Sequence, residues 1–357
     1  MLHIERAASG TTGWQAAHDW LSQATRDGLS AGANAGLFYG APALAFALHA
    51  APQPGYAPAR QVLDDGVSVI IRDRLAAAGR RLARGERPAL AEFDLISGLT
   101  GLGAHLHRHC PEHHLMREIL SYLVRLTEPV DGLPGWWTLS PPGRTAAYPP
   151  GGHGNNGMAH GIAGGPLALL ALTYRAGIAV PGQLEAIGRI CAWLDDWQQD
   201  HDGRPWWPET ISLADHQRGQ TSQAGPGRPS WCYGTPGIAR ALQLAALAAG
   251  DPVRQRTAEA AMAGCLADPH QMNRITGHGL CHGSAGLLMT VTAFAADAAA
   301  PDDLPLDHAT RLLLSEPAAD GTGPGFLTGD AGYALALHAL ATSAPPATRW
   351  DTCLLIR

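Results

Sequence analysis

The stretch that decides the fold is HGSAGLLMTVTAF, which begins at His282. It places two glycines three positions apart and continues as an uncharged run rich in Ala, Leu and other apolar residues. The same pattern recurs in four further copies and, with Ala43 in place of the second glycine, in a fifth. These copies are YGAPALAFAL from Tyr39, SGLTGLGAHL from Ser97, HGIAGGPLALLAL from His160, YGTPGIARALQLA from Tyr233 and TGDAGYALALHAL from Thr328. Such a repeat predicts one structural unit that is used six times.

Amphipathic stretches lie between these copies. Each has apolar residues at spacings of three and four with Arg, Glu or Asp opposite, which is typical of a helix with one face on a core. They are WQAAHDWLSQATRDG from Trp14, VSVIIRDRLAAAGRRLARG from Val67, HHLMREILSYLVRLTEP from His113, QLEAIGRICAWLDDW from Gln183, PVRQRTAEAAMAGCLAD from Pro252 and LDHATRLLLSEP from Leu306. The runs after the glycine motifs are instead almost uncharged, as expected of helices packed on all sides.

Six polar-faced helices that alternate with six apolar helices predict an all-α fold, an α/α toroid or (α/α)6 barrel. We expect a single domain over residues 1–357, with inner-helix motifs at about 40, 98, 161, 234, 283 and 329. Strand patterns are nearly absent. Inner helices that point the same way bring their glycines to one end, where we expect turns with positive φ and close approach between backbones. An open helical solenoid is the alternative.

The composition excludes several classes of protein. The 357 residues carry 25 Lys and Arg against 31 Asp and Glu, so the basic excess that nucleic-acid binding needs is missing. The N-terminus lacks the apolar run of a signal peptide, and no stretch of about 18 apolar residues predicts a membrane span. The six cysteines are scattered, unlike those of a secreted disulfide scaffold. We therefore expect a cytoplasmic protein with reduced thiols.

Metal-ligating residue types stand just before the first glycine of two motifs. Cys232 and Cys281 occupy equivalent repeat positions, and His282 follows Cys281 directly. We expect these three side chains to meet at one end of the ring as a Cys2His set, which favours Zn²⁺ and leaves a fourth position for water or substrate. His278 is either a further ligand or an ordinary loop histidine. The other cysteines are expected to be small buried apolar residues: Cys110, Cys191, Cys265 and Cys353.

Three more residues near the motifs are candidate catalytic residues. His160 shares the repeat position of His282 but follows an alanine, so we expect it to face the same end and to transfer protons rather than bind metal. Asp94 either orients His160 or caps a helix. Arg228, four residues before Cys232, either stabilises a developing oxyanion or is a solvated loop residue.

Two long loops rich in Pro and Gly interrupt the helical pattern. One carries Trp136 and Trp137, and the other carries Trp206 and Trp207. Loops of this length in a compact domain are usually functional or disordered, and tryptophans inside them favour order. The rings either touch a substrate or pin the loops to the barrel.

The motif blocks resemble a known family over nearly the whole chain. Four blocks are similar to the signature blocks of the lanthipeptide (lanthionine) synthetase cyclases of the LanC type: WCYGTPGIARAL from Trp231, LCHGSAGLL from Leu280, MAHGIAGG from Met158 and FDLISGLTG from Phe93. The resemblance implies an α/α toroid whose zinc ion is held by Cys232, Cys281 and His282. It also implies a stand-alone class I cyclase, because no dehydratase or kinase domain is fused.

The resemblance implies a reaction as well. A cysteine thiol of a dehydrated precursor peptide adds to a dehydroalanine or dehydrobutyrine of the same peptide and closes a lanthionine or methyllanthionine ring. His160 and Asp94 match the family's proposed acid/base residues, and Arg228 matches an arginine before the Trp-Cys-Tyr-Gly block. We expect His160 to protonate the enolate, Asp94 to orient His160, and Arg228 to stabilise the enolate.

Partners and rival reactions stay open at this point. A separate dehydratase and an exporter are the candidate partners, and no strand-bearing insertion of the kind some members carry is evident. Glutathione or another external thiol could replace the peptide's own cysteine. A zinc-stabilised toroid that binds peptides without catalysis is the non-enzymatic alternative. A glycosidase would need paired carboxylates across the chamber, and only Asp94 lies near a motif.

Overall fold

The structure is a computed structural model that describes residues 1–26, 28–141, 149–315 and 323–357. Its helices are α1 (Leu2–Ala8), α2 (Gln15–Ala24), α3 (Ala41–His49), α4 (Ala57–Ala83), α5 (Leu90–Phe93), α6 (Leu99–His109), α7 (His114–Leu126), α8 (Gly165–Arg175), α9 (Gln183–Asp196), α10 (Leu213–Arg218), α11 (Thr235–Ala249), α12 (Pro252–Ala267), α13 (Pro269–Met272), α14 (Ser284–Ala295), α15 (Leu306–Leu314) and α16 (Asp330–Thr342). None of these described helices combines the length and the apolarity that a membrane span needs.

The helices that follow the glycine motifs form the inner ring. They are α3, α6, α8, α11, α14 and α16, and each packs against the next in that order. Most residues of α11 and α14 are buried, as their uncharged sequences predict. Phe38, before the first inner helix, stacks on Phe326, before the last, with ring centroids 6.1 Å apart. The ring therefore closes, which confirms the α/α toroid and excludes the open solenoid.

Amphipathic helices cover this ring from outside. α4 packs on α3 and α6, α7 on α6, α9 on α8, α12 on α11 and α15 on α14. α1 packs on α16 and also contacts α2, so the first and last helices of the chain lie side by side. α4 begins well before the predicted stretch from Val67, because Pro58 suits the first turn of a helix.

The described residues contain four short strands that were not expected from the sequence. They are β1 (His153–Asn155), β2 (Gln199–His201), β3 (Arg204–Trp206) and β4 (Thr210–Ser212). β1 pairs antiparallel with β4, His153 opposite Ser212, and β2 pairs antiparallel with β3. Each strand has three residues, too few to produce an alternating pattern in the sequence. The β1–β4 pair joins the two long loops to each other.

The motif turns correct one part of the prediction. Gly283 and Gly329 have φ of −112° and −123°, and Gly234 is extended at 168°, so the expected positive φ is wrong there. Gly40, with φ of 72°, is the exception. The other part of the prediction is right, because a Cβ on Gly283 would lie 2.5 Å from the carbonyl oxygen of Gly277. Close approach between backbones is what these glycines allow.

One hydrophobic cluster runs through the rings and includes the end of the chain. A short 3-10 helix, Trp350–Leu354, packs against α6, and Trp350 and Ile356 are fully buried. The indole N–H of Trp231 donates to the carbonyl oxygen of Leu354 at 3.0 Å. We retain the single domain over residues 1–357 as a proposal, which this shared core supports.

Candidate functional site

Backbone hydrogen bonds tie the motif turns together at one end of the ring. The N–H of Leu95 donates to Ala159 at 3.1 Å, and that of Ala159 donates to Cys232 at 3.3 Å. The N–H of Cys232 then donates to Cys281 at 3.1 Å, and that of Cys281 to Leu327 at 2.7 Å. The turns before the inner helices of successive repeats are thereby held next to one another. The side chains of these turns therefore lie at the same end of the toroid.

Cys232, Cys281 and His282 meet at this end. One ligand atom from each lies within 4.8 Å of the other two. Cys232 is buried, whereas the other two are half-buried. Two sulfurs and one imidazole form a donor set that Zn²⁺ prefers, and three protein ligands leave a position for substrate. The side chains present therefore suit the zinc ion that the sequence predicts.

The two thiols of this group are electrostatically unequal. A hydrogen bond from Cys281 lowers the pKa of Cys232, against the opposing effect of burial, and contacts with His282 and Ser230 lower it further. The same hydrogen bond raises the pKa of Cys281, and burial adds to that increase. Ser230 Oγ lies 3.6 Å from Cys232 Sγ. Cys232 is thus prepared to carry the negative charge with which a cysteine binds metal.

Asp94 holds His160. The Nδ1 atom of His160 lies 2.6 Å from Oδ2 of Asp94. The other oxygen, Oδ1, accepts hydrogen bonds from the backbone N–H groups of Ser97 and Gly98 at 2.7 and 2.8 Å. One oxygen thus holds the turn that leads into α6, whose N-cap residue is Gly98 and which has no side-chain cap, and the other orients the imidazole. Asp94 is 3% exposed and His160 is 38% exposed, so the imidazole is accessible while its partner is hidden.

Tyr233 connects His160 to the cysteines. Its ring centroid lies 6.2 Å from that of His160, and it directly follows Cys232 in the chain. Its hydroxyl accepts a hydrogen bond from Nδ2 of the buried Asn155 at 2.8 Å. Sequence reasoning gave neither Tyr233 nor Asn155 a role. The available signal was the repeat position of Tyr233, which it shares with His160 and His282.

Arg228 lies among charged groups of this site. Burial raises the pKa of Glu209, the nearby Cys232 raises it further, and the positive charge of Arg228 opposes the increase. The same positive charge acts on the Cys281 thiol. Within the described part of the chain, the buried Nε of Arg228 has no hydrogen-bond partner. Glu209 was missed by sequence reasoning, because it lies in the second long loop at no fixed spacing from a motif.

His278 and the remaining cysteines lie outside this group. Nδ1 of His278 is 2.8 Å from Oγ of Ser284, and its ring lies 4.7 Å from that of Tyr333 at a tilt of 40°. It is thus a hydrogen-bonded loop histidine and, among the described residues, is not grouped with the three donors. Cys110 differs from the expectation of burial, since it is half-buried at the end of α6. Three cysteines are buried as expected: Cys191, Cys265 and Cys353.

The tryptophan pairs pin the long loops to the barrel. All four rings are buried. The indole N–H of Trp137 donates to Gly151 at 2.9 Å, and that of Trp207 donates to Leu194 of α9 at 2.9 Å. Trp136 meets Trp193 edge to face at 5.9 Å. Residues 142–148 of the first loop lie outside the described residues.

Comparisons with known proteins agree with this geometry. The model of the family described as "Lanthionine synthetase C-like protein" matches residues 1–355. The nisin biosynthesis protein NisC of Lactococcus lactis subsp. lactis is 26% identical over 211 residues, which are 57% of this chain and 49% of that protein, so the match spans about half the length of this relative. The solved structure of a nisin cyclase superposes with a TM-score of 0.79 at 22% identity, over 99% of this chain and 89% of that one. The chain belongs to the lanthionine synthetase C-like family.

Proposed function

We propose that this protein is a zinc-dependent peptide cyclase. It would catalyse intramolecular addition of cysteine thiols to dehydroalanine or dehydrobutyrine and so close (methyl)lanthionine rings in a ribosomally made, dehydrated precursor peptide. The observation that carries the proposal is the Cys232, Cys281 and His282 donor set beside the Asp94–His160 pair. Membership of the LanC-like family and the similarity to NisC and nisin cyclase support it.

Zinc has one role in the proposed reaction. When bound by Cys232, Cys281 and His282, zinc supplies a Lewis acid that lowers the pKa of a thiol ligand, so that a thiolate exists at neutral pH. The backbone hydrogen bonds between the motif turns support a donor set at this end of the ring. The half-buried Cys281 and His282 leave it accessible to a peptide.

His160 is the proton donor in the proposed mechanism. As sulfur bonds to the β-carbon of the dehydroamino acid, the π electrons move towards the carbonyl and give an enolate. Asp94 binds Nδ1 of His160, so Nε2 is the nitrogen left to deliver a proton to the α-carbon. Arg228 supplies positive charge near the thiols, where the enolate forms. The thiol proton released on activation passes to solvent, and His160, which is 38% exposed, regains a proton from solvent after it protonates the α-carbon. The net reaction is therefore addition of S–H across the C=C bond.

The partners and location follow from this chemistry and are proposed with it. A dehydratase must first make the dehydroamino acids, and an exporter would remove the finished product. The substrate cysteines must be reduced, which suits the cytoplasm. All six cysteines of the chain, each within the described residues, are free thiols.

The test removes one donor at a time. Cys281→Ala and His282→Ala should each lose one equivalent of bound zinc and should lose ring formation on a dehydrated precursor, measured by metal analysis and by alkylation of unreacted peptide thiols. Cys191→Ala, which removes a cysteine distant from the motifs in α9, should retain both. His160→Ala should keep zinc and cyclise slowly. Full zinc loading with normal cyclisation in the first two variants contradicts the proposal. If the peptide gains the mass of glutathione and does not form a ring, the enzyme adds an external thiol to the dehydroamino acid.

A further inference from the structure

A second group of potential ligands lies at the opposite end of the toroid. His49 is the last residue of α3, and Cys110 is the residue that ends α6. Asp64 reaches them from the outer helix α4. The N-termini of α3 and α6 are at the end that carries Asp94, and the 11 residues of α6 rise by about 16 Å at 1.5 Å per residue. The second group is therefore separate from the candidate zinc site described above.

The geometry of this group suits a metal ion. One ligand atom from each of His49, Asp64 and Cys110 lies within 4.8 Å of the other two. Nε2 of His49 is 2.8 Å from Oδ1 and 3.0 Å from Oδ2 of Asp64. Zinc bonds to nitrogen, oxygen and sulfur are about 2.0–2.3 Å long, so small side-chain shifts are enough to bring all three donors onto one ion.

Solvent reaches these donors, and further histidines lie behind them. The His49 and Asp64 side chains are 18% and 28% exposed, so an ion can approach. His105 is 1% exposed, and its Nε2 is 4.0 Å from Oδ1 of Asp64. The rings of His105 and His109 lie 5.7 and 4.9 Å from that of His49. Metal-binding carboxylates commonly receive a hydrogen bond from such a second layer.

Two buried histidines lie next to this group. Among the described residues, Nδ1 of His105 and Nε2 of His109 are buried without a hydrogen-bond partner. Buried polar atoms in this state are unfavourable. If Asp64 turns one oxygen to a metal, its other oxygen can accept a hydrogen bond from Nε2 of His105, the nitrogen that faces it at 4.0 Å.

The electrostatic field at this end also favours a cation. The C-termini of α3 and α6, which carry partial negative charge, both end at the group. Asp64 adds a full negative charge. Nitrogen, oxygen and thiolate ligands together select a borderline ion such as zinc over magnesium or calcium.

We propose that His49, Asp64 and Cys110 form a second Zn²⁺ site, which clips α3, α4 and α6 together at the end of the toroid opposite the candidate catalytic site. This site is structural, and ring formation does not require it. The inference does not depend on the proposed function.

The experiment compares zinc stoichiometry in purified full-length variants after incubation with zinc alone and removal of the excess. Cys110→Ala and His49→Gln should each bind one equivalent less than the wild-type protein and keep ring formation. Cys191→Ala and the exposed-histidine variant His114→Gln are the matched controls and should lose none. Substitution with Co²⁺ adds a spectroscopic readout, since the thiolate-to-metal absorption should decrease in Cys110→Ala while the part that comes from Cys232 and Cys281 persists.

Equal zinc binding by the wild-type protein and folded Cys110→Ala overturns the inference. If Cys110→Ala does not fold, Asp64→Asn, which preserves side-chain shape, decides it by the same measurement. A wild-type protein that binds one equivalent, lost in Cys110→Ala and kept in Cys281→Ala, would support the second site and contradict the zinc site of the proposed function. The two claims therefore fail separately.

Discussion

At the scale of single residues, the motif glycines allow the backbone to pack closely at the motif end of the toroid. A Cβ on Gly286 would lie far inside contact distance of the carbonyl oxygen of Leu280, and one on Gly237 would meet that of Trp231 in the same way. Each is the second glycine of its motif. The chain passes so close to its own backbone at these points that a methyl group has no room.

Gly286→Ala should therefore destabilise the protein by about 1–3 kcal/mol or more, because a backbone carbonyl must move to admit the methyl group. The control is Gly188→Ala in α9, where nothing lies within 4 Å of the added Cβ. That variant should gain about 0.5–1 kcal/mol from its lower chain entropy. Urea unfolding of both variants measures the difference. Equal free energies of unfolding for the two variants would show that the close backbone approach at Gly286 does not contribute to stability.

A second residue-scale prediction concerns the two roles of Asp94. Asp94→Asn keeps an oxygen for the N–H groups of Ser97 and Gly98 but can present an amide N–H to Nδ1 of His160. The imidazole then loses its acceptor and its orientation. Ring formation should slow by roughly 10²-fold or more, while zinc content and unfolding stability change little. A normal cyclisation rate in Asp94→Asn would contradict the positioning role.

At the scale of elements, the β1–β4 pair joins the two tryptophan loops and buries a histidine. His153, on β1, is 1% exposed. Both of its ring nitrogens lack a hydrogen-bond partner within the described residues. Burial lowers the pKa of His153 to about 4. The neutral imidazole is thus the form that the folded strand pair accepts.

Acid should weaken the fold through His153. Because its pKa is lower in the folded state, the unfolded chain binds the extra proton first, and stability falls as the pH falls from about 6.5 towards 4. The loss is about 1.4 kcal/mol per pH unit, or about 2 kcal/mol at pH 5. His153→Gln, which does not titrate, should show a smaller decrease in urea unfolding between pH 7.5 and 5. Parallel pH profiles of the two proteins would contradict this.

At the scale of the whole molecule, the C-terminal segment closes the core of the toroid. Trp350 is fully buried and meets Phe326 edge to face at 5.7 Å. The guanidinium of the buried Arg240 donates through Nε to the carbonyl oxygen of Ile356 at 2.8 Å. Burial lowers the pKa of Arg240 to about 10, and Asp297 pairs with its charge at 2.7 Å. The inner helices thus depend on a segment far away in sequence.

Trp350→Ala should cost about 3–5 kcal/mol, the range for removing a large buried aromatic side chain. Trp20, which is 58% exposed, is the matched control, and Trp20→Ala should change stability by less than about 0.5 kcal/mol. Thermal and urea unfolding measure both. A small loss of stability in Trp350→Ala would mean that the ring of inner helices does not depend on the packing of the C-terminal segment.

The sequence alone predicted the features that repeat along the chain. Six glycine motifs, each followed by an uncharged run, determined the inner helices and their common direction. Repeat positions therefore placed Cys232, Cys281 and His282 at one end, and the same logic placed His160 beside them. A helix transmits sequence spacing directly into a position in space, so these predictions needed no tertiary contacts.

Only the tertiary structure decided which distant residues meet. Glu209 and Asn155 approach the site from long loops, and Cys110 meets Asp64 across two helices. No local period marks such contacts, because they arise from how the loops and outer helices pack on the ring. Asp94 shows the limit most clearly, since its spacing allowed either a cap or a partner for His160. The folded geometry makes it the partner of His160, and its other oxygen binds the turn before α6 and does not cap the helix.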